Sequence, residues 1–438
     1  MQNYEPRPPE LAALPTWSTL VETFKNYQAD RRDARTAKQA AAAEMAPTDA
    51  IQLEKMVNTV RGEYLTAANA RIVAALTSDT GFAERLVHFW SNHFAVSIDK
   101  LPVVALAGDY GFQAIRPHIM GKFSDLLFAS VRHPAMLLYL DQAQSIGPGS
   151  QLAERVARRD LGLNENLARE ILELHTLGVR SGYAQADVTE FARALTGLTV
   201  ARMGKGPVQK MLLQGAAPGE SLFFDAIHEP GKRQVLGKTY GQSGKQQLAA
   251  ILADLAVHPA TAKHIATKLA RHFVADDPPP ALVARLETDF LKTGGDLPSL
   301  YRVLVEAPEA SNPASTKFKS PWDWTVSSLR ALNVREIPGN AQGVGMLAEM
   351  GQPIWKPGSP AGFADNNAEW ASGNALMRRV ELADRFAQRS ANRVDARMLA
   401  PLILPDALTP ATSEAIARAE SPAQGLALLL MSPEFLRR

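Results

Sequence analysis

The amino-acid sequence predicts a mainly α-helical protein, built as one large multi-helix domain with a small inserted β-hairpin and a long Gly/Pro-rich loop towards the C-terminus. Apolar residues recur at helical spacing along most of the chain, and prolines and capping residues separate these segments. Between Thr199 and Gly244, in contrast, eight glycines interrupt short apolar stretches, which is typical of strands joined by turns. The 438 residues suffice for one large core or two smaller ones.

Composition and charge exclude several classes of protein. The 47 basic and 45 acidic residues leave a net charge of +2, so a nucleic-acid partner is not indicated. Cysteine is absent, which excludes disulfides, thiolate metal ligands and a cysteine nucleophile. No apolar run approaches the roughly 20 residues that span a bilayer. Residues 1–15 lack a basic start followed by an apolar stretch, so we expect neither a transmembrane segment nor a signal peptide in this chain.

The N-terminal part, residues 1–80, is predicted to be a helical segment that packs on a core formed by residues 81–438. Its sequence is rich in Ala, Lys, Arg and Glu with scattered Leu and Val. This pattern predicts two helices, broken near Ala46–Asp49.

The first part of the core is aromatic and apolar as far as Leu140. Ser124 can cap a helix there, and Pro134 interrupts that helix. A further helix is predicted from about Ala186 to Leu195.

A small β-ribbon is predicted around residues 199–244, inserted among the helices. Leu222–Phe224 and Gln234–Leu236 flank the turn His228–Gly231. Two apolar stretches on either side of such a turn are the signature of a hairpin with a longer loop.

Helices resume after the ribbon. Apolar residues at helical spacing predict two of them between Leu248 and Phe273. Ser320–Asp323 is typical of a helix start, with a hydroxyl cap, a proline at the first position and an acid in the first turn. Gly343–Gly373 contains nine Gly and Pro residues and two Trp, which predicts a long, ordered loop before the last helices.

Two predicted helices carry polar side chains beside their apolar stripes. In Asn164–Arg180, Glu170 and His175 border a stripe of leucine and isoleucine. In Glu84–Phe94, two histidines and Asn92 are interleaved with Leu, Phe and Trp. An ordinary amphipathic helix places such polar groups in water. Two helices of this kind predict one polar pocket in the interior of a helical protein.

A metal site would need imidazole and carboxylate ligands, because cysteine is missing. The nine histidines include no HExxH motif, so the ligands have to come from separate segments. We predict a divalent transition-metal site whose ligands are His93, His175, Glu170 and His228. The alternative interpretation is that these histidines form hydrogen bonds between packed helices, as buried polar groups do.

Glu170 and His175 are also candidates for acid–base catalysis. Burial beside the apolar stripe raises the expected pKa of the Glu170 carboxyl, and an imidazole that solvent can reach titrates close to neutrality. The alternative is an internal ion-pair network, since Arg169 lies one helical turn from Glu165 and Glu173.

The turn His228–Arg233 collects an imidazole, an acid and two cations. It predicts an anion or substrate clamp at the rim of the pocket, because arginine recognises carboxylate and phosphate. The alternative is an ordinary solvated turn.

Six stretches resemble the bacterial domain of unknown function 1800 family. They occur in order from about Phe82 to Arg438 and read HFWSNHFAVS, NENLAREILELHTLGV, DVTEFARALTGL, HEPGKRQVLG, HPATAKHIATKLARHFVADDPP and MSPEFLRR. The resemblance implies no settled biochemical activity. It does imply an exported protein, periplasmic or secreted, and a sulfatase-like partner protein.

The polar positions of that family fall on a defined set of residues in this chain. They are Asn92, His93, Asn164, Glu165, Asn166, Arg169, Glu170, Glu173, His175, His228, Gly231 and Arg271. The chain departs from the family pattern at the turn, where Glu229 replaces the usual aspartate and Arg233 a common lysine. The longer carboxylate side chain leaves the role of position 229 open.

Two hypotheses for function follow. In the first, the protein is a hydrolytic or oxidative enzyme with an interior polar site. Its predicted catalytic residues are Arg169, which orients a carboxylate, Glu170 and His175, which move protons or bind metal, and His93, which supplies the facing imidazole. Its predicted substrate-binding residues are Asn92, Asn166, His228 and Arg233. In the second hypothesis the protein is a non-catalytic binding or assembly protein that works with the secreted sulfatase-like partner.

Overall fold

The computed structural model describes residues 3–40, 48–155, 162–203, 215–311 and 317–438. Over these residues it contains 21 α-helices and four short strands, which confirms the mainly α-helical prediction. The first ten helices are α1 Pro9–Ala12, α2 Trp17–Ala40, α3 Thr48–Thr77, α4 Gly81–His93, α5 Leu101–Asp109, α6 Phe123–Arg132, α7 Pro134–Tyr139, α8 Gln151–Arg155, α9 Asn166–Glu170 and α10 Gln185–Leu195.

Eleven more helices follow the strands. They are α11 Lys245–Ala256, α12 Pro259–Phe273, α13 Pro280–Thr293, α14 Leu297–Val305, α15 Pro321–Ala331, α16 Asn340–Glu349, α17 Asn367–Trp370, α18 Gly373–Ser390, α19 Ala396–Ile403, α20 Pro410–Ala417 and α21 Pro422–Leu430. The predicted start of α15 is confirmed, since Ser320 Oγ accepts a hydrogen bond of 3.1 Å from the Asp323 amide. No helix of the described ranges has the length and apolarity to span a membrane.

The two long N-terminal helices agree with the sequence prediction, because α2 ends at Ala40 and α3 begins at Thr48. The residues between them, including Ala46 and Pro47, lie outside the described part of the chain. Helix α3 packs against α1, α2, α5, α15 and α16. The boundary near residue 80 stays a prediction, although one hydrophobic core runs from Leu11 to Leu436.

The strands form two separate two-stranded antiparallel sheets. Strand β1, Leu198–Val200, pairs with β2, Ser221–Phe223. Strand β3, Arg233–Val235, pairs with β4, Lys238–Tyr240. A β insertion at the predicted place is therefore present.

The predicted pairing within that insertion is wrong. Leu222 lies opposite Thr199, and Val235 lies opposite Lys238, so the two stretches that flank the His228 turn do not pair with each other. The stretch that contains Val235 pairs instead with β4, which follows it directly in the chain. Leu236 and Gly237 have φ angles of 50° and 76°, which is the two-residue hairpin turn that matches strand twist.

The long C-terminal loop is shorter than predicted. Helix α16 occupies Asn340–Glu349, and the loop proper runs over residues 350–366 before α17. Gly343 lies where α16 packs closely against α3. A side chain at this position would be too close to Ile72, so the glycine permits the packing. Trp355 of this loop belongs to the core and is only 7% exposed.

The predicted helix Asn164–Arg180 ends early and in an unusual way. Helix α9 continues from Glu170 into a π-helical turn, Ile171–His175, and helical geometry ends at Thr176. Gly178 follows with a φ of +94° and lies against the His264 ring. The polar motif Asn164–Arg180 thus forms the buried C-terminal end of a helix.

Candidate functional site

Helix α4 carries polar side chains on two sides within an apolar core. Leu86, Phe89 and Trp90 are buried, with Leu86 and Trp90 fully inaccessible. His93 points to the end of the π-helical turn and to α12, whereas Asn92 contacts the C-terminal loop. The helix therefore separates two polar regions.

The end of the π-helical turn is capped by two histidines from other helices. His93 Nε2 donates a hydrogen bond to the His175 carbonyl at 3.1 Å, and His264 Nε2 donates to the Leu174 carbonyl at the same distance. Carbonyls at a helix end have no partner within the helix and need one when buried. His93 therefore forms a structural hydrogen bond between helices, which was its alternative interpretation, and His264 does the same.

Three imidazoles form a cluster at this point. The ring centroid of His93 lies 6.1 Å from that of His175 and 6.1 Å from that of His264. His175 is 1% exposed, and neither of its ring nitrogens has a hydrogen-bond partner. Nδ1 of His93 is also buried without a partner. Such orphaned polar atoms are rare in folded proteins and call for an explanation.

The cluster histidines are neutral around pH 7. Burial lowers the pKa of His175 to about 3 and that of His264 to about 4, with the charge of Lys268 as the next cause. Burial lowers the pKa of His93 in the same direction. The three rings therefore resist protonation at neutral pH.

The charge of Lys268, on α12, acts on all three rings. Lys268 is half-buried, and this burial lowers its pKa to about 8, while Asp365 acts in the opposite direction. Within the described residues its amine makes no hydrogen bond or ion pair. His264, Lys268 and His272 follow one another at four-residue spacing, which puts them on one face of α12.

An ion-pair network continues along that face. His272 Nδ1 lies 2.7 Å from Asp365 Oδ2, and Lys317 Nζ lies 3.1 Å from Asp365 Oδ1. Arg438 pairs with the buried Asp323. Burial alone would raise the pKa of the Asp365 carboxyl, but the contact with His272 and the charges of Lys317 and Arg438 hold it far below its usual range.

Glu170 lies apart from the contacts of the histidine cluster. Its half-buried carboxyl has a raised pKa, chiefly because of burial and then because of Glu173, with Arg169 acting in the opposite direction. Its charge also acts on Tyr139. The predicted direction of the pKa shift is thus found, but no contact joins this carboxyl to His93 or His175 in the described structure.

Arg169 and Asn166 face solvent. Arg169 Nη2 lies 3.2 Å from Glu165 Oε2 and 2.9 Å from Gln185 Oε1, and Asn166 is exposed. Arg169 therefore takes part in the local network that was its alternative interpretation, and its catalytic role stays a prediction.

Asn92 holds the C-terminal loop. Its Nδ2 donates to the Phe363 carbonyl at 2.9 Å, and its Oδ1 accepts from the Phe363 amide at 2.7 Å. The neighbouring Gly362 has a φ of +83° and no room for a side chain beside Asn92. Both functional groups of the Asn92 amide are therefore used in positioning the loop.

His228 and Arg233 lie at the end of α10. His228 Nδ1 donates to the Thr196 carbonyl at 2.7 Å, and Arg233 pairs with Glu190 at 3.4 Å and with the Pro230 carbonyl. None of these contacts reaches the histidine cluster. The predicted clamp is a self-contained network at the turn.

The four residues predicted as metal ligands are not gathered. His93 and His175 lie together, Glu170 and His228 have other neighbours, and the described residues contain no group of three or more His, Asp or Glu that could hold a metal ion. His264 and Lys268 were absent from the predicted site. Their spacing with His272 along one helix face is the signal that could have found them.

These features define a class: a mainly α-helical protein whose interior holds a cluster of neutral histidines beside a lysine of lowered pKa. The chain belongs to the family described as "Protein of unknown function (DUF1800)", whose model matches residues 5–437. The resemblance read from the motifs is thereby confirmed. Comparisons with curated proteins and with solved structures gave no match.

Proposed function

We propose that this protein is an enzyme in which the Lys268 amine is the reactive group and His175 and His93 bind the substrate beside it. One observation supports the proposal above all. The amine is free of hydrogen bonds and ion pairs within the described residues and has a pKa of about 8, and His175, on which its charge acts, has no partner for either ring nitrogen.

A lysine with this pKa offers two kinds of chemistry. Below about pH 8 its ammonium group donates a proton, and above that pH the free amine is a base or a nucleophile. The imidazoles stay neutral across this range, since the pKa of His175 is lowered to about 3 and that of His264 to about 4. Lys268 is therefore the group of this cluster that changes charge near physiological pH.

The substrate class follows from the donors that are available. An ammonium group and an imidazole N–H both favour an acceptor oxygen, such as the carbonyl or leaving-group oxygen of an ester. A substrate oxygen that accepts from His175 would also relieve the cost of about 1–3 kcal/mol of leaving that N–H unpaired. Protonation of a leaving group is a step of hydrolysis, so we favour the hydrolytic alternative.

Hydrolysis of activated esters by the intact protein tests this role. We would compare p-nitrophenyl acetate, phosphate and sulfate at several pH values, with the unmodified protein and with Lys268→Met. We expect one ester to be cleaved with a rate that changes with an apparent pKa of about 8. Lys268→Met should lower that rate by about a hundredfold or more, as loss of a proton donor or acceptor does.

Lys263→Met is the matched control, because Lys263 is exposed on the same helix. It should hydrolyse the ester at the unmodified rate. The proposal is wrong if no ester is cleaved above the uncatalysed rate, or if both lysine variants lose activity equally. Circular dichroism has to show that each variant is folded.

A bound divalent transition metal, and catalytic roles for Glu170 and Arg169, stay predictions. Elemental analysis of protein purified without chelator or affinity-tag histidines tests the metal. Stoichiometric iron, zinc, manganese or copper that is lost in His175→Ala would support it. A metal-free protein with full esterase activity would refute it.

The binding alternative has a separate observation in its favour. Met398 and Leu402, one helical turn apart on α19, are 70% and 76% exposed, and contiguous exposed apolar surface often marks an interaction site. In this alternative Met398→Lys with Leu402→Glu would abolish association with a co-purified sulfatase-like partner. Lys268→Met would leave that association unchanged.

A further inference from the structure

A cavity of about 660 Å³ lies between α15, α16 and α18 and is partly open to solvent. The segment that joins α15 to α16 forms much of its wall, from Leu332 to Pro338. Small-molecule sites have volumes of about 300–1,000 Å³, so this cavity has room for a ligand and not only for ordered water. The histidine cluster and Lys268 take no part in it.

The interior of the cavity is apolar. Five side chains of the hydrophobic core line it, each between 3% and 8% exposed: Leu329, Leu332, Ile337, Met346 and Phe386. Val334 and Pro338 are more exposed and extend the apolar lining towards solvent. An apolar chain that enters such a cavity gains up to about fourfold in affinity for each methylene group that it buries.

Three exposed arginines line the same cavity, namely Arg335, Arg389 and Arg393. None of them forms an ion pair within the described residues. Arg393 Nη2 lies 3.5 Å from the Arg389 carbonyl, which is long for a hydrogen bond. Glu336 is the one carboxylate among the lining residues, so three positive charges face one negative charge. The mouth of the cavity is therefore cationic.

Other arginines of α18 do have partners. Arg385 Nη2 pairs with Glu349 Oε2 at 2.6 Å, and Arg378 donates to the Glu349 carbonyl, so both residues join α18 to α16. Arg389 and Arg393 follow Arg385 at four-residue spacing, yet they reach no carboxylate in the described part of the chain. Unpaired cations at the entrance of an apolar cavity attract an anionic ligand.

We infer that this cavity binds a free single-chain fatty acid, with its chain among the core side chains and its carboxylate at the exposed arginines. A guanidinium group matches the planar, two-oxygen geometry of a carboxylate. The aliphatic part of an arginine side chain can also cover the bound chain. Glu336 repels each additional negative charge, so a carboxylate with a single charge fits better than a phosphate monoester.

Binding of decanoate by the full chain tests this inference, measured by calorimetry below the concentration at which decanoate forms micelles. We expect decanoate to bind at about millimolar concentration or below. Hexanoate has four methylene groups fewer and should bind about tenfold more weakly or worse. Decyltrimethylammonium, which has the same chain and the opposite charge, should bind at least about tenfold more weakly than decanoate.

The double variant Arg389→Gln with Arg393→Gln locates the site. It should weaken decanoate binding by about fivefold or more, because each exposed arginine contributes a modest charge interaction. Both side chains are exposed, so we expect this variant to fold, and circular dichroism checks that it does. Arg385→Gln is the matched control, since Arg385 is exposed on the same helix and does not line the cavity. The control should bind decanoate normally.

Four results would overturn the inference. They are no binding of decanoate, equal binding of decyltrimethylammonium, unchanged binding by the folded double variant, and tighter binding of decyl phosphate, which would mean that the head group is not a carboxylate. Because no residue of the histidine cluster lines this cavity, the outcome is independent of the proposed hydrolytic function.

Discussion

His175, His264 and His88 are each kept neutral by their surroundings. Burial is the largest cause, and it lowers the pKa to about 3 for His175 and His88 and to about 4 for His264. In the unfolded chain the same side chains have a pKa of about 6.5. A proton therefore binds the unfolded state more readily than the folded state, and these residues make the fold sensitive to acid.

The sign of this effect predicts how stability depends on pH. Above about pH 6.5 the histidines are neutral in both states and the fold has its full stability. As the pH falls below that value, the free energy of unfolding should decrease with a slope that approaches about 1.4 kcal/mol per pH unit for each histidine. Urea unfolding between about pH 7 and 5, above the range where most carboxylates titrate, measures it.

His175→Phe isolates one histidine in that measurement. The His175 ring makes no hydrogen bond, so phenylalanine should retain the stability at neutral pH and reduce the slope by about 1.4 kcal/mol per pH unit. Equal slopes for the two proteins would contradict the assignment of the acid sensitivity to this buried ring.

At the scale of secondary-structure elements, Asn92 and the C-terminal loop act as one unit. Asn92→Ala removes both hydrogen bonds to Phe363 and leaves the amide of that residue without its partner. We expect a loss of about 1–3 kcal/mol in the free energy of unfolding. Amide hydrogen exchange of residues 350–366 should accelerate, because the loop loses its attachment to α4.

Asn166→Ala is the control for this change, because Asn166 is exposed. It should alter neither the stability nor the exchange of the loop. Unchanged exchange in Asn92→Ala would show that the loop is held by its aromatic residues alone.

Helix boundaries were predictable from the sequence where capping residues and prolines set them. The cap and proline around Ser320 place the start of α15 as expected, and α6 ends before Pro134 as expected, although it begins at Phe123 without a cap from Ser124. Strand pairing is not local in this sense. Leu236 carries a side chain yet adopts a positive φ in the turn, so the sequence offered no Asn-Gly or Gly-Gly signal for the observed hairpin.

The site was predictable in part, for a related reason. The motif around His175 correctly indicated a buried polar region, because charged and imidazole groups on a core helix need partners. What the residues bond to depends on where other helices end. His93 and His264 meet the last carbonyls of the π-helical turn, and helical periodicity does not predict that such a turn interrupts α9.

At the scale of the whole molecule, the two predicted parts of the chain share one core. Ile72 and Leu76 of α3 belong to the same hydrophobic cluster as Leu86 and Trp90 of α4. Polar contacts also cross the boundary near residue 80. Arg330 Nη1 of α15 donates to the carbonyls of Ala75, Leu76 and Ser78 at 3.0, 3.2 and 2.8 Å.

This shared core predicts that the protein unfolds in one cooperative transition, with no earlier melting of residues 1–80. Helix content from circular dichroism and tryptophan fluorescence should give the same midpoint in urea. Arg330→Ala removes the hydrogen bonds to these partly exposed carbonyls at the end of α3, so it should lower the stability by about 1 kcal/mol without splitting the transition. Arg335→Ala, at an exposed position a few residues further on, should have little effect. A loss of helix content that precedes the fluorescence change would instead mean that the N-terminal helices unfold by themselves, and that the contacts across residue 80 are too weak to couple the two parts.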